Sequence, residues 1–135
     1  MSSSPIVSRW PIRFEASVTA EDADANGMLT DVAIERLSSR ARSEYFALCR
    51  TIDARDVTVL ETQIRNRSAP VSEQVSVSAG VSEIFAARFV LRIRIRAVGA
   101  DVAADVSCSM SPGAELTKAM RDEFISLAHN ARHHN

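Results

Sequence analysis

Four carboxylates, Glu21, Asp22, Asp24 and Asp31, fall within twelve residues beside a lone Gly27, in the stretch AEDADANGMLTDVAIERLSSR from Ala20 to Arg40. An amphipathic run follows at once. An acidic turn before a helix commonly serves as a cap and a solvated surface, and the same geometry can also present one carboxylate for acid–base or nucleophilic work. The histidines narrow the choice of chemistry. His129, His133 and His134 all lie within the last seven residues, so the body of the chain offers no imidazole for a Ser-His-Asp or Cys-His arrangement. His129 and His133 stand four apart, a spacing able to hold a metal on one helix face, but a chain end makes incidental binding the simpler reading. Cys49 and Cys108 form no ligand-type spacing and read as reduced core residues, so no metal site is expected. Catalysis in this chain would fall to a carboxylate.

The elements around the turn follow from hydrophobic period. Trp10, Ile12, Phe14, Ala16 and Val18 alternate with polar residues, which predicts a strand from Trp10 to Val18, with Pro11 near its start or at an edge. Ile34, Leu37, Ala41, Tyr45 and Leu48 recur at helical spacing from about Thr30 to Arg50, with Thr30 as N-cap and Asp31 and Glu35 complementing the dipole. Residues Val57 to Arg67 are β-rich but alternate poorly, and Ser68-Ala69-Pro70 ends them. Val71, Val75, Val77, Ala79 and Val81 then share one face. From Phe85 to Ala97 the apolar residues point one way and Arg88, Arg92, Arg94 and Arg96 the other. Gly99-Ala100-Asp101 reads as a hairpin turn into a return strand carrying Val102, Ala104, Val106, Cys108 and Met110. After Pro112-Gly113 a helix over about 115–131 has Leu116, Ala119, Met120, Phe124 and Leu127 as its apolar side. Consecutive strands joined by short turns imply an antiparallel sheet with the long helix on its apolar face, an α+β arrangement in one domain over 1–135.

With 46% apolar and 24% charged residues and a net charge of -1, the chain reads as a soluble globular protein without a general grip on nucleic acid. Aromatics at 5% also argue against a base-stacking platform. The start MSSSPIVSRWPIRF lacks the apolar core of a signal peptide, and no run is long enough for a membrane helix, so a cytoplasmic location is expected.

The residues then carry a resemblance. A first strand, the motif Asp22-Ala23-Asp24-Ala25-Asn26-Gly27, and a long helix ending Arg40-Ala41-Arg42-Ser43-Glu44-Tyr45-Phe46 resemble the hotdog-fold acyl-CoA thioesterases, of the 4-hydroxybenzoyl-CoA thioesterase type. The resemblance covers roughly residues 10–111 and implies an antiparallel sheet wrapped around one long central helix. It implies that Asp24, the second aspartate of the motif, is the catalytic nucleophile or general base. Gly27 would shape the turn, and the helix start at Thr30 and Asp31 would hold the oxyanion through a backbone N–H of Asp31 or a near neighbour. It implies no cofactor beyond the coenzyme A of an acyl-CoA substrate, an acyl carrier protein thioester as the other candidate, and a homodimer or homotetramer with sites between subunits. Arg88, Arg92, Arg94 and Arg96 are most simply a solvated sheet face, and their functional reading is a phosphate grip. Met28, Asp31, Ala33 and Ile34 depart from the residues that relatives carry there, and Asp31 would oppose negative charge on a carbonyl. Asp31, Ala33 and Ile34 keep open a hotdog protein that binds an acyl or aromatic ligand without turning it over. Glu61 is a second carboxylate to keep in view, whereas Glu35 and Glu44 on the helix match no motif and read as surface residues.

Overall fold

The structure is a computed structural model that describes residues 4–5, 10–65, 74–97 and 102–134. Among the described residues, six strands and two α-helices follow one another as β1 (Ser4–Pro5), β2 (Ile12–Ser17), α1 (Asp31–Leu48), β3 (Thr58–Arg65), β4 (Gln74–Ile84), β5 (Phe89–Ala97), β6 (Val102–Ser111) and α2 (Lys118–His134). All the strands pair antiparallel in one sheet of order β1-β4-β5-β6-β3, with β2 beside β1 on the same edge of β4. The expected α+β arrangement is therefore present, with α1 packed against β2, β4 and β5.

The inner face is a continuous apolar layer. Val75, Val77 and Ala79 of β4, Leu91, Ile93 and Ile95 of β5, and Ala104, Val106, Cys108 and Met110 of β6 are all buried. Ala33, Ile34, Leu37, Ala41, Tyr45 and Phe46 of α1 cover them. Burying a large apolar side chain stabilises the fold by about 1.5–3 kcal/mol. Leu48 is exposed at the last helical residue, where Cys49 leaves the helix in extended conformation, while Phe46 is buried.

A β-bulge in β4 displaces the strand boundaries expected from sequence. Val81 pairs with Leu91 but Glu83 pairs with Val90, leaving Ser82 as the extra residue. The bulge reverses the alternation, so Ile84 points inward, and β4 continues past Val81 where a strict period of two would end it. The hairpin turn consequently lies at Phe85–Arg88, closed by the Phe85 N–H donating to the Arg88 carbonyl at 2.8 Å, and β5 begins at Phe89 rather than Phe85. Leu60 is the extra residue of β3. That strand is an edge with nearly every side chain exposed, which accounts for the weak alternation of its sequence.

Helix α2 starts at Lys118, later than expected, so Leu116 packs from the preceding loop and Ala119 is exposed. Phe124 anchors the helix, fully buried with ring centroids 4.7 Å from Phe89 and 6.2 Å from Tyr45. Glu123 accepts from the N–H groups of Arg50 and Thr51, and Arg121 donates to the carbonyls of Phe85 and Ala86. α2 thereby fastens the end of α1 to the β4–β5 hairpin. The break at Ser68-Ala69-Pro70 and the turn at Gly99-Ala100-Asp101 lie outside the described residues. Among the described residues no helix is long and apolar enough to cross a membrane.

Candidate active site

The acidic stretch folds into a closed turn at the start of α1. Thr30 donates its N–H to the Asp22 carbonyl at 2.9 Å, and Asp24 donates to the Met28 carbonyl at 2.7 Å, with an isolated bridge between Ala23 and Leu29. Gly27 sits at φ 81°, a left-handed conformation that side chains with a Cβ adopt at a cost, and its N–H donates to the Asp24 carbonyl. Thr30 is the N-cap of α1: its Oγ1 accepts from the Ala33 N–H at 3.1 Å, and its carbonyl accepts from Ile34.

The two aspartates of the motif do different work. Asp22 is buried, and Arg36, in the second turn of α1, donates to both of its oxygens at 2.7 and 3.2 Å. The Thr19 N–H also donates to Asp22 Oδ2. The Arg36 guanidinium, and after it the Thr19 N–H, hold the Asp22 carboxyl at about 2, below its ordinary 3.8. A carboxyl lowered in the folded state contributes stability above its unfolded value, and that contribution is lost as pH falls from about 4 toward 2. Asp22→Ala should therefore cost about 1–3 kcal/mol at neutral pH, since it strips partners from a buried backbone donor and an arginine. Urea unfolding of Asp22→Ala and wild type should show that gap narrowing between pH 4 and 2. A gap independent of pH would remove the ion pair from this role.

Asp24 is exposed at the turn, and its Oδ1 accepts from the N–H groups of Asn26 at 2.8 Å and Met28 at 3.1 Å. Its Oδ2 has no hydrogen-bond partner among the described residues. One oxygen is thus fixed and the other is open, a carboxylate of set orientation at the mouth of a helix. Met28 contributes through its backbone, so its side chain identity does not enter that bond. Among the described residues the Val32 N–H, in the first turn of α1, makes no hydrogen bond, and Val32 itself is 79% exposed. Asp31 is exposed at the first helical position, whereas Ala33 and Ile34 are buried in the core. The structure thus gathers Asp24, Gly27, Thr30 and Asp31 into one turn.

The arginines lie elsewhere, on the outer face of the sheet. Asp105 of β6 receives Arg92 Nε and Nη2 at 3.1 and 2.6 Å and Arg94 Nη2 at 3.3 Å. Burial alone would raise the Asp105 carboxyl, but Arg92 and then Arg94 hold it below its ordinary value. Arg88 donates to Ser109 Oγ and stacks 3.7 Å over the Phe85 ring, and Arg96 is exposed. Two members of the arginine row are therefore already met within the sheet. Asp105 escaped the sequence reading because it pairs with Arg94 only through the β5–β6 register, and Arg36 because its partner lies fourteen residues away. Among the described residues no group of three or more His, Cys, Asp and Glu is placed to hold a metal ion.

No protein-family model and no curated protein matches this sequence. Solved structures do match in shape. A thioesterase from Thermus thermophilus, complexed with coenzyme A and zinc, superposes with a TM-score of 0.75 at 18% identity, over 89% of this chain and 96% of that one. This chain has the hotdog fold. Two further hotdog structures agree: YbaW, a probable thioesterase from Escherichia coli (TM-score 0.69, 14% identity, 86% and 98% of the two chains), and BH1999, a gentisyl-coenzyme A thioesterase (0.66, 14%, 84% and 98%). At these identities the likeness establishes the hotdog architecture.

Proposed function

We propose that this hotdog protein hydrolyses an acyl-CoA or acyl carrier protein thioester, with Asp24 as its base or nucleophile. The observation that carries this reading is the Asp24 carboxylate, locked through one oxygen and open at the other, in a turn fastened to the start of α1 by Thr30 and by the Asp22–Arg36 pair. The coenzyme A bound to the Thermus thermophilus thioesterase supports a CoA-linked substrate. In the general-base route Asp24 takes a proton from water as the water oxygen adds to the thioester carbonyl. N–H groups of the first turn, Asp31 or Val32, stabilise the oxyanion, and collapse expels the thiolate, which recovers the proton. In the nucleophilic route Asp24 attacks first and water hydrolyses the resulting anhydride. Thiolates leave readily, so neither route needs a histidine. The Asp31 carboxylate is exposed, which screens its opposition to the oxyanion. Asp105 engages Arg92 and Arg94, and Arg88 and Arg96 stand at opposite ends of β5, so the arginine row is not arranged as one phosphate grip.

The site is completed by a second subunit in this reading. β3 is an edge strand, and Val59 and Leu60 on it are 41% and 56% exposed, as Val32 is beside the turn. Long exposed edges with apolar side chains are positions where chains pair. Light scattering of the wild type should give the mass of two or four chains. Leu60→Arg should shift that mass toward one chain and lower turnover by tenfold or more. A wild-type monomer that turns over would remove the interfacial site.

The test of the reaction itself is thiol release from aromatic, short-chain and long-chain acyl-CoAs. Turnover of at least one class is expected. The second reading, a hotdog protein that binds such ligands without hydrolysis, rests on Asp31 at the expected oxyanion donor. Saturable binding across the panel with no thiol released would establish it instead.

A further inference from the structure

A groove beside the start of β2 joins apolar walls to a cation without a partner. Trp10 and Pro11 before β2, Leu48 at the end of α1 and Leu127 of α2 line a cavity of about 300 Å³, and Arg13 of β2 and Asn130 of α2 complete its lining. Leu127 and Asn130 are three apart and share one face of α2. Leu48 is 43% exposed, so the groove leaves apolar surface open to water. The Arg94 guanidinium lies 5.5 Å from the centroid of the Trp10 ring and orients the indole. Arg36, Arg42, Arg92 and Arg94 each meet a carboxylate within the chain. Arg13 does not. It is exposed and makes no hydrogen bond or ion pair among the described residues. Its cross-strand neighbour Ser78 is uncharged, and Glu15, two residues on, makes no ion pair with it. α1 has 18 residues, so Leu48 lies about 25 Å along the helix from Asp31, and the groove is separate from the Asp24 turn.

We propose that this groove is a second binding site, for a medium-chain aliphatic carboxylate, with the alkyl body along the apolar walls and the carboxylate on Arg13. It does not depend on the thioesterase reading. The volume lies at the lower end of the roughly 300–1,000 Å³ of small-molecule pockets, which suits a compact ligand and is too small for coenzyme A. Such pockets are mainly apolar with a few placed polar groups, the composition found here. Trp10, Pro11, Leu48 and Leu127 would cover methylenes and take the exposed part of Leu48 out of water. The Arg13 fork matches a carboxylate with two parallel charge-assisted hydrogen bonds, and the Asn130 amide supplies a further donor. No internal ion pair has to break for Arg13 to bind it. A cationic head would be repelled there, and a neutral one would gain only the apolar contact.

Trp10 is the only tryptophan in the chain, so its fluorescence reports on the groove directly. The full chain is titrated with octanoate, octan-1-ol and octylammonium, which share one alkyl body and differ in the charge of the head. Octanoate is expected to saturate one site per chain and to bind tenfold or more tighter than the other two. Arg13→Gln should bring octanoate down to the level of the alcohol, and Arg13→Lys, which keeps the charge without the fork, should retain part of the affinity. Leu48→Asp should weaken octanoate by tenfold or more. Both side chains are exposed, so the fold should persist in every variant. The absence of a saturable response to octanoate overturns the inference. Equal binding of octanoate and octan-1-ol overturns it too, since the groove is then an apolar patch without selection. Octanoate binding that survives Arg13→Gln places the carboxylate elsewhere and overturns it as well. Self-association of the wild type that Leu48→Asp abolishes and octanoate leaves unchanged would assign the groove to a second copy of the chain instead. No thioester enters these titrations, so their failure leaves the reading of Asp24 standing, and an inactive wild type leaves the groove standing.

Discussion

Phe124→Ala is expected to destabilise the protein by about 3–5 kcal/mol, a large part of the roughly 5–15 kcal/mol that separates folded from unfolded domains. Phe124 is fully buried, and its ring packs on Phe89 from the start of β5 and on Tyr45 from the end of α1. Truncation leaves a cavity between three elements whose backbones are independently tied. Glu123 holds residues 50 and 51, and Arg121 holds the hairpin carbonyls, so the site has little freedom to collapse. Equilibrium urea unfolding would measure the loss. A cost below about 1 kcal/mol would mean that α2 contributes little to the fold, contrary to its place in the core.

The second large effect is on turnover, and a pair of substitutions separates chemistry from architecture. Asp24→Asn keeps an Oδ1 able to accept from the Asn26 and Met28 N–H groups, so the turn should persist while the charge and basicity go. Its kcat is expected to fall by roughly 10²–10⁴, the usual worth of a positioned acid–base group. Asp24→Ala removes the acceptor as well. It should show the same loss of rate together with about 1 kcal/mol of destabilisation, since two backbone donors in an exposed turn must turn to water. A loss of rate that appears only in the Ala variant would make Asp24 a turn residue, with its role exhausted by the two hydrogen bonds.

Much of the fold was legible because its core obeys simple periods. β5 buries every second residue from Phe89 to Ala97, and α1 runs from the residue after Thr30, its expected cap. The boundaries that moved did so where a period breaks. Ser82 and Leu60 are bulge residues, and a bulge inserts one residue into a pattern that a window of fixed period reads as the end of a strand or as noise. The acidic turn was legible for a different reason: Gly27 and the spacing of Asp22 and Asp24 mark a closed loop before a helix. The pattern of its acids does not say which one is buried. That division of labour comes from Arg36, which reaches back over the turn to claim Asp22 and leaves Asp24 outside.

Whether the Asp24 carboxylate hydrolyses thioesters is decided by thiol release from wild type and Asp24→Asn, matched in oligomeric state. The wild type should turn over at least one acyl-CoA, and the variant should lose that turnover by about a hundredfold or more. Turnover that survives the substitution would refute a catalytic Asp24 and move the chemistry to another group.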